Sequence, residues 1–598
     1  MQFAFAVYGQ DKEEHHSAHK YIAWDAKYTH FGKNNNLPDT FTKYDTLLTN
    51  FHQFNRASQF DNFIVATGNI NSPYYDLDFN KNINIGFQTA LFDFSEYSFT
   101  RHNIHYFDTK TPFTSVFYAQ GDKETQQLNA MHSRNINPWL NFTLHFAATG
   151  ADGFYIQQAL HNRQFYFSTN FKSKNNNYKL FASYIYNRYH QQCNGGIKSQ
   201  DFDSVIWRLR VIQPVLLNEA EQTVKNNSLN FYQFFKPDSS SPVSIAHSLM
   251  LTKNYFKYVD EDVSESYYKN IFIDSNMTND SILWQLVENN LFFMNSSEYK
   301  KKIDFQSGFK HQSLLYQNLS IDTSMYYFGF FAHLQKKILR VNLFLKADYA
   351  LSGQLRGDYK FTGGVFSEKI KHSEFSFEGS LTKQSTPVFY RFADMNHLNW
   401  NNSFNQAIYQ QIRFKYKNEN IRIKLNFDFS NVINYKYITD SIRPATLVDP
   451  VQVIALKAQH LLKLGNFYLS NHLLYQYSSN KDIIPLPLWA LHHQFYYESD
   501  LYKNKFRLQT GYSVFIHHRF YMPAYFAQAN LFYLQNTNLI GHYPATEIFL
   551  NMAIKRARIF VKVEQLHTFL MLKNSWSLPD YPVNPFNFKF GVSWLFYD

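Results

Sequence analysis

Residues Phe586–Asp598 read FNFKFGVSWLFYD. Phe586, Phe588, Phe590, Val592, Trp594 and Phe596 share one parity; Asn587, Lys589, Gly591 and Ser593 share the other. A strand points successive side chains to opposite faces, so this segment has one apolar-aromatic face and one mostly small or polar face. A strand of a soluble sheet is compatible with that pattern. A chain that ends on it, with aromatics at its tip, fits better as the closing strand of a transmembrane barrel. There the outer face meets hydrocarbon and the aromatics lie at headgroup level.

The same alternation recurs upstream. Phe165, Phe167, Thr169 and Phe171 fall on one face, Lys174-Asn175-Asn176-Asn177 makes a turn, and Tyr178, Leu180, Ala182, Tyr184 and Tyr186 return. Leu339 to Leu351 sets Val341, Leu343, Leu345 and Tyr349 against Arg340, Asn342, Lys346 and Asp348. Ile421, Ile423, Leu425, Phe427 and Phe429 alternate with Arg422, Lys424, Asn426 and Asp428. Ile548 to Ile554 and Ile559 to Val563 repeat the pattern against Asn551, Lys555, Arg558, Lys562 and Glu564. The alternating segments have about the ~9–11 residues that a tilted strand needs to cross a bilayer.

The connections sort into two kinds. Short polar turns are expected at Lys336-Lys337, Lys417–Asn420, Leu464–Asn466, Tyr502–Lys505 and Lys555–Ala557. Longer links run over Ile438–Pro450, Ser478–Pro487 and His517–His542. One short and one long end is the asymmetry of an outer-membrane barrel, with tight periplasmic turns and long external loops. The stretch Ser281–Met294 reads equally as a helix or as a strand. The fold expected is all-β: one large antiparallel transmembrane barrel with an even number of strands, about 18–24.

Composition agrees. The 598 residues include 61 Phe and 44 Tyr, and aromatics make up 19%. Mean hydropathy is nevertheless negative, at -0.42, and no run reaches the ~20 apolar residues of a helical span. The net charge of +11 is spread along the chain without a long basic run, which reads as a solvated surface and lumen, with no nucleic-acid partner. Cys193 is the single cysteine, so neither an internal disulfide nor a multi-cysteine metal site is available.

Three regions are expected. Residues 1–10 resemble the tail of a secretory signal peptide. Residues 11–82 form a periplasmic leader or a small lumen insert, and 83–598 the barrel. His15, His16 and His19 lack the carboxylate or cysteine companions of a metal site and read as solvated. No metal or cofactor is expected. Phosphate loops, the serine-hydrolase elbow and the HExxH zinc motif are missing from the sequence. The pairs His492-His493 and His517-His518 would point to opposite faces of a strand.

If the polar parity lines a lumen, its candidates are Arg340, Lys346, Asp348, Arg422, Lys424, Asp428, Lys555, Arg558, Lys562, Glu564 and Lys589. The basic surplus predicts a weak anion preference.

The stretch from Asn103 to Gly196 carries a resemblance. Asp108 to Thr114 (with Pro112 and Phe113), Gly121, Lys123-Glu124, His132-Ser133, Asn135-Ile136, Pro138 and Asn194-Gly195-Gly196 match motifs of the putative porins of Bacteroidetes-type outer membranes. Gly68-Asn69 with Ser72-Pro73 upstream, and Gly591 to Trp594 downstream, fit the same family. Cys193 and Arg134 depart from it, where the family has Glu and Gln. The resemblance implies an outer-membrane barrel and a channel for small hydrophilic solutes, without a named substrate or catalytic residues. The implied partners are the lipid bilayer and the lipopolysaccharide of the outer membrane, with homo-oligomers or envelope-complex partners left open. Two other readings remain at this point: a closed scaffold in a secretion or envelope-assembly complex, and a barrel-borne hydrolase.

Overall fold

The structure, a computed structural model, describes residues 26–31, 41–55, 59–79, 83–91, 94, 96–198, 211–238, 241–295, 303–502, 505–570 and 575–597. The signal-peptide remnant and the histidines at 15, 16 and 19 lie outside them.

Twenty-two antiparallel strands close into one barrel. In chain order they are β1 (Phe113–Gly121), β2 (Gln126–Asn137), β3 (Leu140–Ala151), β4 (Leu160–Lys172), β5 (Tyr178–Gln192), β6 (Ala220–Phe235), β7 (Val243–Asp260), β8 (Thr278–Asn295), β9 (Ile303–Asn318), β10 (Ile321–Ile338) and β11 (Val341–Gly353). They continue as β12 (Tyr359–Ser367), β13 (Ser373–Gln384), β14 (Ala407–Asn418), β15 (Ile423–Ile433), β16 (Val451–Leu464), β17 (Phe467–Ser478), β18 (Trp489–Leu501), β19 (Phe506–His517), β20 (Ala545–Ile554), β21 (Ala557–Glu564) and β22 (Asn587–Tyr597). Each strand pairs with its sequence neighbour. The ring closes where β22 meets β1, from Lys589 opposite Gly121 to Tyr597 opposite Phe113. Closure removes both sheet edges, the condition for a sheet to cross hydrocarbon.

The wall is inside-out relative to a soluble protein. On β22, Asn587 and Ser593 are buried, whereas Phe588, Phe590, Trp594 and Phe596 are exposed. On β11, Asn342 is buried and Leu345 is 64% exposed. The apolar parity therefore faces the bilayer and the polar parity an occupied interior. Ser281–Met294 belongs to strand β8, paired in register with β7 and β9; those two ladders decide what periodicity left open. Strands β7, β8 and β10 run to 18 residues, longer than the alternating segments alone implied.

The turns fall close to where the alternation breaks, with two shifts. The β10–β11 turn is Leu339-Arg340, and Lys336-Lys337 still belongs to β10. The β14–β15 turn covers 419–422. Leu339 and Arg422 take positive φ, so the hairpin reverses there and the lysines stay on the ladder. The wall begins at Phe113 and not at 83. Ahead of it, the 106–109 strand pairs with Ala26–Thr29, and Ala26–Thr29 with Thr42–Lys43, in a small sheet separate from the barrel.

Candidate functional site: a plugged lumen

The described residues between 26 and 112 fill much of the lumen. They have little regular structure, so their backbone groups need partners. The polar parity of the wall supplies them. Lys310 Nζ donates to the Ile85 carbonyl at 3.0 Å, Lys360 Nζ to Ile83 at 2.6 Å and Gln476 Nε2 to Leu77 at 2.6 Å. Across the lumen, Ser168 Oγ donates to the His105 carbonyl at 2.7 Å and Asn187 Nδ2 to Phe99 at 2.9 Å. The amide nitrogen of Phe87 donates to Gln312 Oε1 at 3.1 Å. These contacts reach strands β4, β5, β9, β12 and β17, so the segment is held by opposite walls.

Two ion pairs and one histidine–carboxylate contact add to the seam. Arg101 meets Glu288 at 2.8 Å, Lys457 meets Asp78, and His52 Nε2 meets Glu547 at 3.1 Å. His52 also stacks on Phe549 at 3.8 Å and accepts at Nδ1 from Asn551 Nδ2 at 2.9 Å. Burial pushes the His52 pKa down, opposed by the Glu547 charge. His105, beneath Tyr28, is pushed down to about 4, chiefly by burial. Both imidazoles therefore sit in the plug in their neutral form.

The long-loop end is filled as well. The long link expected over His517–His542 folds inward, and its Met522, Ala527, Gln528 and Asn530 are fully buried. They join Phe63, Leu77 and Phe94 of the plug and Val388 and Phe389 of the 385–406 loop in one apolar core. Between the plug and the wall lies a cavity of about 200 Å³, lined by His492, Ser513, Glu547, Glu564, Lys589 and Asn69, among others. It has charges of both signs and is the largest polar space among the described cavities.

The predicted lumen residues have different environments. Lys562 Nζ bridges Glu547 at 3.0 Å and Glu564 at 2.6 Å, and Lys589 meets Glu564 at 2.6 Å. Asp428 accepts from Arg413 at 2.6 Å, and Asp348 lies 4.0 Å from Lys310. Arg558 donates to the Leu47 carbonyl at 3.0 Å and covers Phe51. Lys346 is half-buried and lies over Phe344. Lys424 is exposed near the short-turn end. Arg340, Arg422 and Lys555 stand in turns and are exposed, because their hairpins reverse at these positions. Alternation missed Glu547, Glu288 and Lys310 as hubs; only three-dimensional contact with the plug marks them.

The motif residues join plug, loops and wall. Asn135 Nδ2 donates to Asp108 at 2.8 Å and tethers the 106–109 strand. Phe113, fully buried, packs on Phe107. Asn194 Oδ1 accepts from the Gly196 amide at 3.1 Å. Gly196 lies against Asp580 so closely that a Cβ would come within 2.6 Å of its Cβ. Gly121 ends β1 against Lys589, Pro138 makes the β2–β3 turn, and His132 bonds Thr114 at 2.8 Å. Gly195 turns the chain at φ 67. Gly591 gives Phe560 room, and Trp594 stacks on Phe596 at the bilayer face. Asn69 Nδ2 donates to the Gln158 carbonyl at 2.7 Å and ties the plug to the β3–β4 connection. Among the described residues no cluster of three or more His, Cys, Asp or Glu is arranged to hold a metal. Cys193 is buried.

Solved structures share this architecture. The FrpB iron transporter from Neisseria meningitidis aligns with a TM-score of 0.58 at 9% identity, over 81% of this chain and 82% of that one. The siderophore receptor PirA from Acinetobacter baumannii aligns with a TM-score of 0.57 at 9% identity, over 83% and 82%. A mutant ferric enterobactin receptor, PfeA of Pseudomonas aeruginosa, in complex with enterobactin aligns with a TM-score of 0.59 at 10% identity, over 84% of each chain. Identity this low shows the fold alone. No curated protein matches the sequence. The family model described as putative porin matches residues 27–598. A closed large barrel with its apolar face outward places the protein in the outer membrane, and the chain belongs to the putative porin family.

Proposed function

We propose that this barrel is a gated conduit for small hydrophilic solutes, closed at rest by residues 26–112. The carrying observation is the chemistry of the seam. Beside apolar clusters such as Phe31, Ile104 and Tyr106 against Tyr166, Phe181 and Tyr232, wall and plug meet through polar side chains bonded to backbone carbonyls. Water and solute can replace such contacts at small net cost, because each protein hydrogen bond contributes only ~0.5–1.5 kcal/mol net. The plug can then shift without unfolding the wall. The reading is transport and not catalysis, with the polar cavity beside Glu547 and Lys589 as the solute's waiting place.

The basic surplus of the sequence does not act along the whole lumen. Lys562, Lys589, Arg413 and Lys457 are matched by carboxylates. Exposed Lys415 and Lys424 near the short-turn end carry what anion preference remains. Reversal potentials in planar bilayers under a salt gradient test it; a cation preference would refute it.

A second reading draws on the filled lumen and the likeness in fold to an iron transporter and siderophore receptors. On it the plug moves only when a specific ligand binds at the loop end. Liposome swelling separates the possibilities. Sugar entry through the wild-type chain without added ligand supports a plug that shifts on its own, entry only with the plug removed supports ligand gating, and no entry in either form supports a scaffold.

A further inference from the structure

The two ends of the barrel differ in charge and in what accompanies the charge. Among the described residues, the short connections hold nine Lys and Arg against three Asp and Glu, and the long connections nine against fourteen. The basic turns run around the circumference, from Lys174 between β4 and β5 to Lys555-Arg556 between β20 and β21.

An exposed apolar side chain accompanies the cation in turn after turn. Leu339, 89% exposed, precedes Arg340; Ile421 precedes Arg422; Leu464 follows Lys463; Tyr502, 80% exposed, shares its turn with Lys505; Ile554 precedes Lys555. Two further cations, and Lys463 again, lie over aromatic rings at the same rim: Lys174 over Trp139 at 5.1 Å, Lys463 over Tyr468 at 5.0 Å and Arg556 over Tyr597 at 4.2 Å. In water, an 89% exposed leucine at a turn tip gains nothing. At a membrane interface it enters the acyl boundary while its neighbour's cation reaches the phosphate layer.

We propose that the short-turn rim is a docking annulus for anionic phospholipid headgroups, binding diacyl lipids of net negative charge. The circumferential spread favours a lipid leaflet, which surrounds the barrel, over a soluble partner, which would contact one arc. Turn tips reach the headgroup layer whichever parity their strand presents. Among the described residues the loop end carries more carboxylates than cations, so the preference falls on the short-turn leaflet. The proposal requires the barrel to be embedded in a membrane and is independent of what crosses the lumen.

The test reconstitutes the full chain in phosphatidylcholine vesicles containing spin-labelled phosphatidylglycerol or spin-labelled phosphatidylcholine and reads protein-associated lipid by electron spin resonance. One cation near an anionic headgroup is worth ~1 kcal/mol, or about fivefold in association. The wild-type protein is expected to prefer phosphatidylglycerol about fivefold. The preference should vanish in a variant combining Arg340→Gln, Arg422→Gln, Lys463→Gln, Lys505→Gln and Lys555→Gln. Control substitutions Arg443→Gln and Lys481→Gln in the long loops should leave it intact. Should the fivefold variant not fold, the wild-type preference is titrated with salt. It should fall toward unity at 1 M, where the Debye length is ~3 Å. Equal association of both lipids with the wild-type chain overturns the proposal, as does a preference that survives both the five substitutions and high salt. Capture of an acidic soluble protein through these residues without lipid selectivity overturns it too.

Discussion

Replacing Glu547 by Gln should unlatch the plug. Glu547 accepts from His52 of the plug at 3.1 Å and from Lys562 of the neighbouring strand at 3.0 Å. The Lys562 side chain is fully buried, and its other carboxylate, Glu564, is shared with Lys589. Two lysines and two carboxylates balance; the substitution leaves two lysines and one carboxylate in a water-poor site. Removing one partner of a buried pair costs about 3–5 kcal/mol, and the lower end applies because Lys562 keeps Glu564. The part that falls on docking is the charged hydrogen bond to His52, ~1.5–3 kcal/mol. At about 2 kcal/mol the undocked population rises roughly thirtyfold, since ~1.4 kcal/mol is tenfold. Single-channel recording in planar bilayers reads this as an open probability raised about thirtyfold, while heat-modifiable migration on gels shows the barrel still folded. An open probability unchanged within threefold, in a variant whose barrel is intact, would refute the latch.

Further outcomes follow from the same geometry. Through its histidines, acidification should loosen the plug: His52 and His105 are held below the ordinary histidine pKa of ~6.5, so these two imidazoles bind fewer protons docked than released, whereas Asp76, raised to about 7 by burial, works the opposite way. The histidines' contribution is at full strength above about 6.5 and weakens as pH falls toward 4; protease accessibility of the plug against pH checks this, and His52→Gln with His105→Gln should flatten the curve. Deleting residues 26–109 should leave a folded barrel with large, steady conductance, whereas a barrel that stays silent would place the block in the inward-folded loops. Gly196→Val should disrupt the junction of the 193–219 and 565–586 connections, because φ is 104 and a Cβ would lie 2.6 Å from Asp580; a loss of ~1–3 kcal/mol in thermal stability is expected, with the wall's strand content in circular dichroism retained. Gly591→Phe should slow or abolish closure of β21 on β22, since the Phe560 ring occupies that space, and is read as loss of heat-modifiable barrel on membrane assembly.

Much of the wall was legible in the residue order because a strand's period of two is a local property. Phe588 and Lys589, or Leu345 and Lys346, announce their opposite faces without reference to any other part of the chain. Turn chemistry is nearly as local, so Tyr502–Lys505 and Gly465-Asn466 could be placed and only Leu339-Arg340 and the 419–422 turn shifted. The motifs around Pro112, Asn135 and Asn194 carried the family. The strand number, 22, and the start of the wall at Phe113 depended on which ladders pair. Ser281–Met294 needed β7 and β9 beside it to be a strand at all.

What lies inside the barrel was decided by tertiary structure. A lumen charge has the same local signature whether it faces water, a carboxylate or a plug carbonyl. Lys562, Lys424 and Arg340 look alike in sequence; one is buried between two glutamates, one is exposed inside the wall and one stands on a turn. The plug's irregular backbone carries no period to read, since its hydrogen-bond partners, Ser168 and Asn187 as well as Lys310, Lys360 and Gln476, lie on wall strands far along the chain. Alternation specifies a wall because each residue's face depends on its own strand, whereas occupancy of the lumen depends on contacts between distant segments that exist only once the ring is closed.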